Sequence, residues 1–125
     1  MNVDELLAAI DEAGGMLTLH PDRIVYRLPN GAAHLVDELK LHRRELEQVL
    51  TRRFALGVKN FLRERCVRRH GTWVTVAALR DEFQRVTEIG CDPRMFCQQV
   101  QRNGHKLVGE WFKNLGLRLE VNGGG

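Results

Sequence analysis

The stretch DPRMFCQQVQRNG, residues 92–104, predicts a short helix with a defined start and a defined end. Asp92 is a favoured N-cap residue, and Pro93 suits the first helical turn because its missing N–H group would have no partner there. Asn103 and Gly104 are typical of the end of a helix. The apolar side chains fall on one side, and a hydrogen-bonding row occupies the other: Arg94, Gln98, Gln101 and Arg102.

The segments around this helix predict a module that extends over residues 52–122. A long amphipathic helix ends at Gly71, the short stretch TWVT is extended, Thr75 caps a second helix, and a tight turn surrounds Gly90. After the third helix, the runs HKLVGEWF and LGLRLEV predict a hairpin joined by KNLG, with a short helix over residues 110–114 as the alternative. This order is that of a winged helix-turn-helix, whose third helix enters the major groove of DNA.

Two motifs in this module carry a resemblance to a known group of domains. FLRERC, residues 61–66, lies in the first helix, and the spacing of apolar residues over 76–83 marks the second. On these motifs, residues 54–121 resemble the small winged-helix domains at the C-terminal end of phage and plasmid primase-helicases. The resemblance implies a DNA-binding role linked to replication or mobile elements.

The exposed row of the third helix contains residue types that read base edges. Arginine pairs bidentately with guanine and glutamine with adenine, so we expect Arg94, Gln98, Gln101 and Arg102 to contact bases. The alternatives are an ordinary solvated face and a winged helix that binds protein. Basic residues at the end of the first helix and in the hairpin are the candidate phosphate contacts: Arg68, Arg69, Lys106, Lys113 and Arg118.

Charge is distributed unevenly along the 125 residues. Residues 1–51 hold five basic and nine acidic residues, a net charge of −4, whereas residues 52–125 hold fourteen and seven, a net charge of +7. Such asymmetry predicts two modules with different partners, the basic one binding a polyanion such as double-stranded DNA. The chain is 43% hydrophobic and 28% charged, which is typical of a folded globular protein.

Residues 1–51 predict a helix, a hairpin and two further helices. The apolar residues of VDELLAAI follow helical spacing, and Gly14-Gly15 ends that helix. The β-prone runs MLTLH and RIVYRL flank the turn dipeptide Pro21-Asp22. LPNGA then leads into the helical stretch LVDELKLHRRELEQVL, in which a bend near residues 40–42 is an open alternative.

In this order, the motifs resemble the TubC-type N-terminal docking domain of natural-product megasynthases. The matching features are the LL-rich helix, the short-turn hairpin, a Pro-x-Gly loop, and His42, Arg43 and Leu46 in the last helix. The resemblance implies an αββαα fold, often a homodimer, with an exposed hairpin strand that accepts a partner segment. The alternative is that the chain's own helices cover this edge. The expected docking residues are Leu17, Leu19, Ile24, Tyr26 and Leu28.

The cysteines and the apolar runs predict the environment of the protein. Three cysteines give no disulfide framework, the first residues lack the pattern of a signal peptide, and no apolar run approaches the roughly 18 residues of a membrane span. We therefore expect a cytoplasmic protein that is not bound to a membrane. Residues 123–125 are interpreted as a glycine tail.

The cysteines, histidines and glycines show none of the patterns that form metal sites, catalytic triads or phosphate loops in other proteins, so we predict neither catalysis nor a cofactor. Cys66, His70, Cys91 and Cys97 miss the usual zinc spacing, so the cysteines are interpreted as buried packing residues. The remaining histidines form no triad pattern, and no glycine-rich phosphate loop occurs.

The two tryptophans, Trp73 and Trp111, are interpreted as packing residues at the edge of the wing rather than as platforms for base stacking. The favoured function is a dimeric DNA-binding accessory or regulatory factor of replication, mobile elements or transcription. A protein docking adaptor without DNA binding is the alternative.

Overall fold

A computed structural model describes residues 1–118, and in this range the protein is mixed α+β. It has five α-helices: α1 (Val3–Glu12), α2 (Leu35–Leu41), α3 (Arg43–Arg65), α4 (Val76–Thr87) and α5 (Pro93–Arg102). It has six strands: β1 (Met16–Leu19), β2 (Ile24–Arg27), β3 (Cys66–Thr75), β4 (Gly90–Cys91), β5 (Lys106–Val108) and β6 (Trp111–Leu117). A single 3-10 turn spans Asn30–Ala32.

The chain divides into two compact units. Unit 1 comprises Met1–Phe54 and Gly90–Asp92, and unit 2 comprises Ala55–Ile89 and the described residues from Pro93 onward. The sequence predicts a boundary after residue 51, and the division of the structure falls three residues later. The predicted end of the hairpin at residues 119–121 and the glycine tail at residues 123–125 lie outside the described residues.

Unit 1 has the element order that its sequence predicts: helix, hairpin, helix, helix. Helix α1 begins at a cap in which Oδ1 of Asn2 accepts the N–H of Glu5 at 2.8 Å. It ends before Gly14, which has a φ of +79°. The bend near residues 40–42 is real, because α2 and α3 are separate helices on either side of His42. The helices and the 3-10 turn enclose an apolar core: Val3, Leu6, Ile10, Ala32, Leu35, Leu39 and Leu46.

The sheet of unit 1 includes a strand that the sequence did not predict. Its order is β2-β1-β4, in which β1 is antiparallel to β2 and parallel to β4. The sequence predicts a tight turn at Gly90, but Gly90 and Cys91 pair with Thr18 and Leu19. Two residues are too few for a period-2 pattern, so local sequence gave no signal. The pairing requires glycine, since a Cβ at position 90 would lie 2.9 Å from Oγ1 of Thr18.

Unit 2 is built around the ring of Phe83 on α4. This ring lies 5.5 Å from that of Phe61 on α3 and 5.3 Å from that of Phe96 on α5, measured between centroids. All three side chains are buried, so the three helices share one aromatic core. The sheet of unit 2 has the order β3-β6-β5 and is antiparallel throughout.

The predicted end of the long helix at Gly71 is wrong. Helix α3 ends at Arg65 and β3 begins at Cys66, so Arg68 and Arg69 lie on a strand instead of a helix end. Local helix propensity does not determine where α3 ends, because the pairing of Cys66, Val67 and Arg68 with β6 outweighs that propensity.

Gly71 instead lies in a bulge of β3. The register with β6 shifts between Arg68 and Trp73, so residues 69–72 lie opposite Asn114 alone. Gly71 has a φ of +83° and Asn114 a φ of +57°. The Oδ1 atom of Asn114 accepts the N–H of Gly71 at 3.0 Å, which ties the two strands together at the bulge.

The final hairpin exists, but its turn is not at KNLG. Gly109 and Glu110 form the two-residue turn between Val108 and Trp111, and Gly109 has a φ of +61°. The alternative helix over residues 110–114 is also wrong, since β6 covers most of that range.

Two predicted helix boundaries are confirmed. Oγ1 of Thr75 accepts the N–H of Ala78 at 3.1 Å, which caps α4. Helix α5 ends before Gly104, whose φ is +93°. None of the helices within residues 1–118 combines the length and the apolar composition needed to cross a bilayer.

Candidate nucleic-acid interface

Helix α5 has one buried face and one exposed face. Phe96 and Val100 are completely buried in unit 2. The four side chains that the sequence selected for base contacts are all exposed: Arg94, Gln98, Gln101 and Arg102. They recur at helical spacing along residues 94–102, a length of about 12 Å. The row is therefore a continuous polar surface on a rigid element.

A basic groove lies beside the C-terminal end of α5. Its volume is about 380 Å³, and it is bordered by residues of β3, β5, β6 and the segment after α5. Four of the five predicted phosphate contacts line it: Arg68, Arg69, Lys106 and Lys113. The other lining residues are His70, Gly104, His105 and Asn114, so none of the described lining residues is acidic. The groove brings together cations that are up to 45 positions apart in sequence.

Arg68 joins this groove to the end of helix α5. Its Nη2 atom donates to the backbone oxygen of Asn103 at 2.8 Å, just beyond the last residue of α5. A cation at a helix C-terminus is favoured because the unpaired carbonyl groups there carry partial negative charge. The bond fixes strand β3 against the end of α5 and positions the groove next to Arg102.

Lys106 and Lys113 are direct cross-strand partners on β5 and β6. Like charges placed opposite each other are unfavourable, by a few tenths of a kcal/mol up to about 1 kcal/mol. Lys106 is exposed and Lys113 is half-buried. An anion placed between them would remove this repulsion, so the pair is suited to a phosphate group.

His105 lies at the floor of the groove. Its side chain is 9% exposed, and both burial and the nearby Arg68 cation lower the pKa of His105 below its usual value. The imidazole is therefore neutral at neutral pH. The positive charge of the groove comes from its two arginines and two lysines.

The ninth predicted DNA contact, Arg118, lies apart from the groove. Its backbone N–H donates to the carbonyl oxygen of Arg65 at 2.7 Å, at the opposite end of β6 from the hairpin turn. The Arg118 cation lies near Cys66 and partly offsets the effect of burial, which raises the pKa of that thiol to about 12. This cysteine is a protonated packing residue.

The predicted docking residues of unit 1 are mostly turned inward. Leu19 is buried, and Leu17, Ile24 and Leu28 pack against the apolar core. Tyr26 is exposed. Strand β1 lies between β2 and β4, although β4 pairs only with Thr18 and Leu19, whereas β2 lies at the edge of the sheet among the described strands.

Sequence reasoning missed several residues near the interface. Lys59, Arg63 and Asn103 line a second groove of about 360 Å³, which shares Arg68 and His105 with the basic groove. Lys59 and Arg63 are four residues apart on α3, and this spacing was a usable signal because it places both on one helix face. The place of Asn114 in the lining of the basic groove could not be predicted from the sequence, since it depends on the bulge in β3.

No protein-family model, curated protein or solved structure with which the chain was compared matches it.

Proposed function

We propose that the chain is a non-enzymatic DNA-binding protein that holds duplex DNA with the winged-helix arrangement of unit 2. The observation that carries the proposal is the basic groove at the end of the exposed polar row of α5. Reading side chains and phosphate-binding side chains are then adjacent, as base recognition and backbone positioning require.

The order of elements supports the winged-helix interpretation. Helix α3 is followed by strand β3, helices α4 and α5, and the hairpin β5–β6, which corresponds to the wing. The connection between α4 and α5 is five residues long, one or two more than the usual helix-turn-helix turn. On this proposal, α5 enters the major groove, and the four cations of the groove contact the flanking phosphates: Arg68, Arg69, Lys106 and Lys113.

The test compares two double variants that remove the same charge. Lys106→Gln with Lys113→Gln removes two cations from the groove, and Lys40→Gln with Arg44→Gln removes two exposed cations from unit 1. Each phosphate contact contributes about 0.9 to the slope of log affinity against log salt concentration. The groove variant is expected to lower that slope by about 2 on duplex DNA. Equal slopes for the two variants would mean that DNA binding depends on net charge alone.

We also infer a role for unit 1 in self-association through the outer edge of β2. An unpaired strand edge offers backbone groups to a second strand. Here Val25 and Tyr26 are exposed beside it, at 42% and 46%. A homodimer would place two copies of α5 on one DNA molecule and raise the affinity through effective concentration.

Light scattering on the full chain tests this assembly. The wild type is expected to have the mass of a dimer, and Tyr26→Lys is expected to be monomeric because a charge at the edge opposes strand addition. Leu41→Lys is the matched control, since Leu41 is 75% exposed and lies on α2 instead of the strand. A monomeric wild type at high concentration would overturn the inference and favour an edge that binds another protein.

The biological process follows from resemblance alone. Residues 54–121 resemble winged-helix domains of phage and plasmid primase-helicases, so an accessory role in replication or in mobile elements is proposed. A transcriptional regulator would need the same interface.

A further inference from the structure

The outer face of the sheet of unit 2 carries both tryptophans of the chain. In an antiparallel sheet, paired residues and residues two apart on a strand share one face. Trp73 pairs with Lys113, which pairs with Lys106. In a second row two residues further along the strands, Trp111 pairs with Thr75 and with Val108.

Burial identifies this face as the solvent side. Trp73, Trp111 and Val108 are 43%, 46% and 42% exposed. The row between them points the other way, since Val74 and Phe112 are buried in the core of unit 2. The tryptophans were expected to pack at the edge of the wing. The structure places both tryptophans partly exposed on one sheet face.

The two rings lie on neighbouring strands in diagonal positions. Diagonal neighbours are about 7–8 Å apart, a distance that large aromatic side chains bridge. Sheets that bind unpaired bases use this arrangement, in which aromatic side chains stack against two or three bases. Leaving two large aromatic rings exposed costs burial free energy, and a ligand with flat apolar surfaces would recover it.

The positive charges around the two indole rings favour a polyanionic ligand. Of the six side chains on this face, two are lysines and, within the described part of the chain, none is acidic. Lys106 and Lys113 also line the basic groove, which adds Arg69 and Arg68 at the border of the face. Stacking rings beside a positively charged track are the two components of single-strand binding sites.

We propose that this sheet face binds an unpaired segment of nucleic acid, with Trp73 and Trp111 stacking on bases and Lys106 and Lys113 holding phosphates. The site goes beyond the proposed duplex binding by α5, because duplex DNA presents no free base faces. Its ligand is a single strand of DNA or RNA.

The chain offers an internal probe, since Trp73 and Trp111 are its only tryptophans. A single-stranded oligothymidylate of about ten nucleotides, within the usual site size, is titrated into the full chain while tryptophan emission is recorded. Stacking is expected to quench this emission in a saturable way. Raising the salt concentration is expected to weaken binding with a slope of about 1.4, the value for two phosphates of a single strand.

An abasic strand of the same length is the decisive control, because it retains the phosphates and lacks the bases. The proposal predicts little quenching by the abasic strand. Equal quenching by both strands, or no quenching by oligothymidylate, would overturn it. These comparisons need no variant protein, so a misfolded mutant does not affect the outcome. An oligouridylate titration identifies the preferred strand, and tighter binding of either polymer agrees with the proposal.

Variants separate this site from duplex binding. Trp73→Ala is expected to weaken oligothymidylate binding about 5- to 150-fold, the usual effect of removing one stacking ring. Its affinity for duplex DNA is expected to remain unchanged. Arg94→Ala with Gln98→Ala is expected to weaken duplex binding and to leave the affinity for oligothymidylate unchanged. If Trp73→Ala weakened only duplex binding, the tryptophan face would belong to the duplex site and the proposal would fail while the proposed function stood.

Discussion

At the scale of single residues, the interface depends on groups whose roles follow from their surroundings. Arg68 is a cation of the groove and also a hydrogen-bond donor to the end of α5 at 2.8 Å. His105 is part of the same lining, but its burial beside Arg68 keeps it neutral at neutral pH. Neighbouring basic residues of one groove therefore differ in charge state, and burial increases that difference for His105.

The first prediction concerns the pH dependence of stability at His105. Burial and Arg68 lower its pKa in the folded state, whereas the unfolded chain has the ordinary value of about 6.5. Below that value the unfolded state binds a proton that the folded state does not. The free energy of unfolding is therefore expected to fall as pH drops below about 6.5, by at most about 1.4 kcal/mol per pH unit from this group.

Urea unfolding of the wild type and of His105→Gln between about pH 5 and 8 measures this contribution. The variant should lose stability less steeply on the acid side, since it has no proton to take up. The other four histidines are present in both proteins, which makes the comparison specific to His105. Parallel curves for the two proteins would show that His105 does not contribute.

The second prediction concerns the close contact between Gly116 on β6 and Thr72 in the bulge. A Cβ at position 116 would lie 2.6 Å from the Cγ2 methyl of Thr72, and its next neighbours would be at 3.8 Å. Gly116→Ala is expected to destabilise the protein by about 1–3 kcal/mol through overpacking. Thr72→Ser removes only the Cγ2 methyl, so it should restore much of the stability of Gly116→Ala.

A double-mutant cycle on the unfolding free energies checks this pair. We expect a favourable coupling of about 1 kcal/mol or more between the two substitutions. Additive effects would indicate that the two strands separate at the bulge and that its geometry is not fixed.

At the scale of elements, α5 combines a buried face that fixes its position with an exposed polar face that we propose reads DNA. Phe96 packs against Phe83 at 5.3 Å, so the helix cannot rotate about its axis without breaking the core of unit 2. Because the backbone of α5 is held in place, the exposed side chains leave the helix in fixed directions. This is what discrimination between base pairs requires.

The third prediction concerns readout by this helix. Arg94→Ala with Gln98→Ala should leave the fold intact, since both side chains are exposed, and should relax the preference for particular duplex sequences. Selection of bound duplexes from a random pool, carried out for the wild type and the variant, gives the measurement. Each lost bidentate contact is expected to reduce discrimination at its base pair by about 1–3 kcal/mol. An unchanged preference would place readout on another element.

The elements also show how much the sequence predicted. The predicted ends of α1 and α5 followed from apolar spacing, caps and positive-φ glycines, which are local features. Six helices were predicted, but residues 1–118 contain five, because the last helix of the first module and the first helix of the second are one continuous helix, α3 (Arg43–Arg65). The other failures were at strands: the start of β3 at Cys66, the turn at Gly109 and the whole of β4. Strand pairing joins residues that are distant in sequence, such as Leu19 with Cys91, and no local pattern encodes it.

For the candidate site too, the residues on the helix were predicted better than the residues on the strands. The exposed row of α5 was readable because helical spacing determines which side chains share a face. Lys106 and Lys113 were selected as single basic residues, but their pairing across β5 and β6 depends on a turn that was predicted at the wrong position. The exposure of Trp73 was missed for the same reason, since its face is set by the register with β6.

At the scale of the whole molecule, two units of opposite charge have different surfaces. The acidic N-terminal part offers a strand edge at β2, and the basic part offers α5, the groove and the tryptophan face. A dimer of such chains would bring two basic surfaces to one polyanion. We propose that the edge of β2 binds another chain, that α5 and the groove bind duplex DNA, and that the tryptophan face, which shares Lys106 and Lys113 with the groove, binds unpaired bases.

The salt dependence of binding to random-sequence duplex DNA decides whether unit 2 holds DNA through its basic groove. Fluorescence anisotropy on the wild-type chain should show micromolar or tighter binding at about 50 mM salt. If Arg68, Arg69, Lys106 and Lys113 each neutralise one phosphate, log affinity should fall against log salt concentration with a slope of about 3.6. Absence of binding at about 50 mM salt would contradict the account.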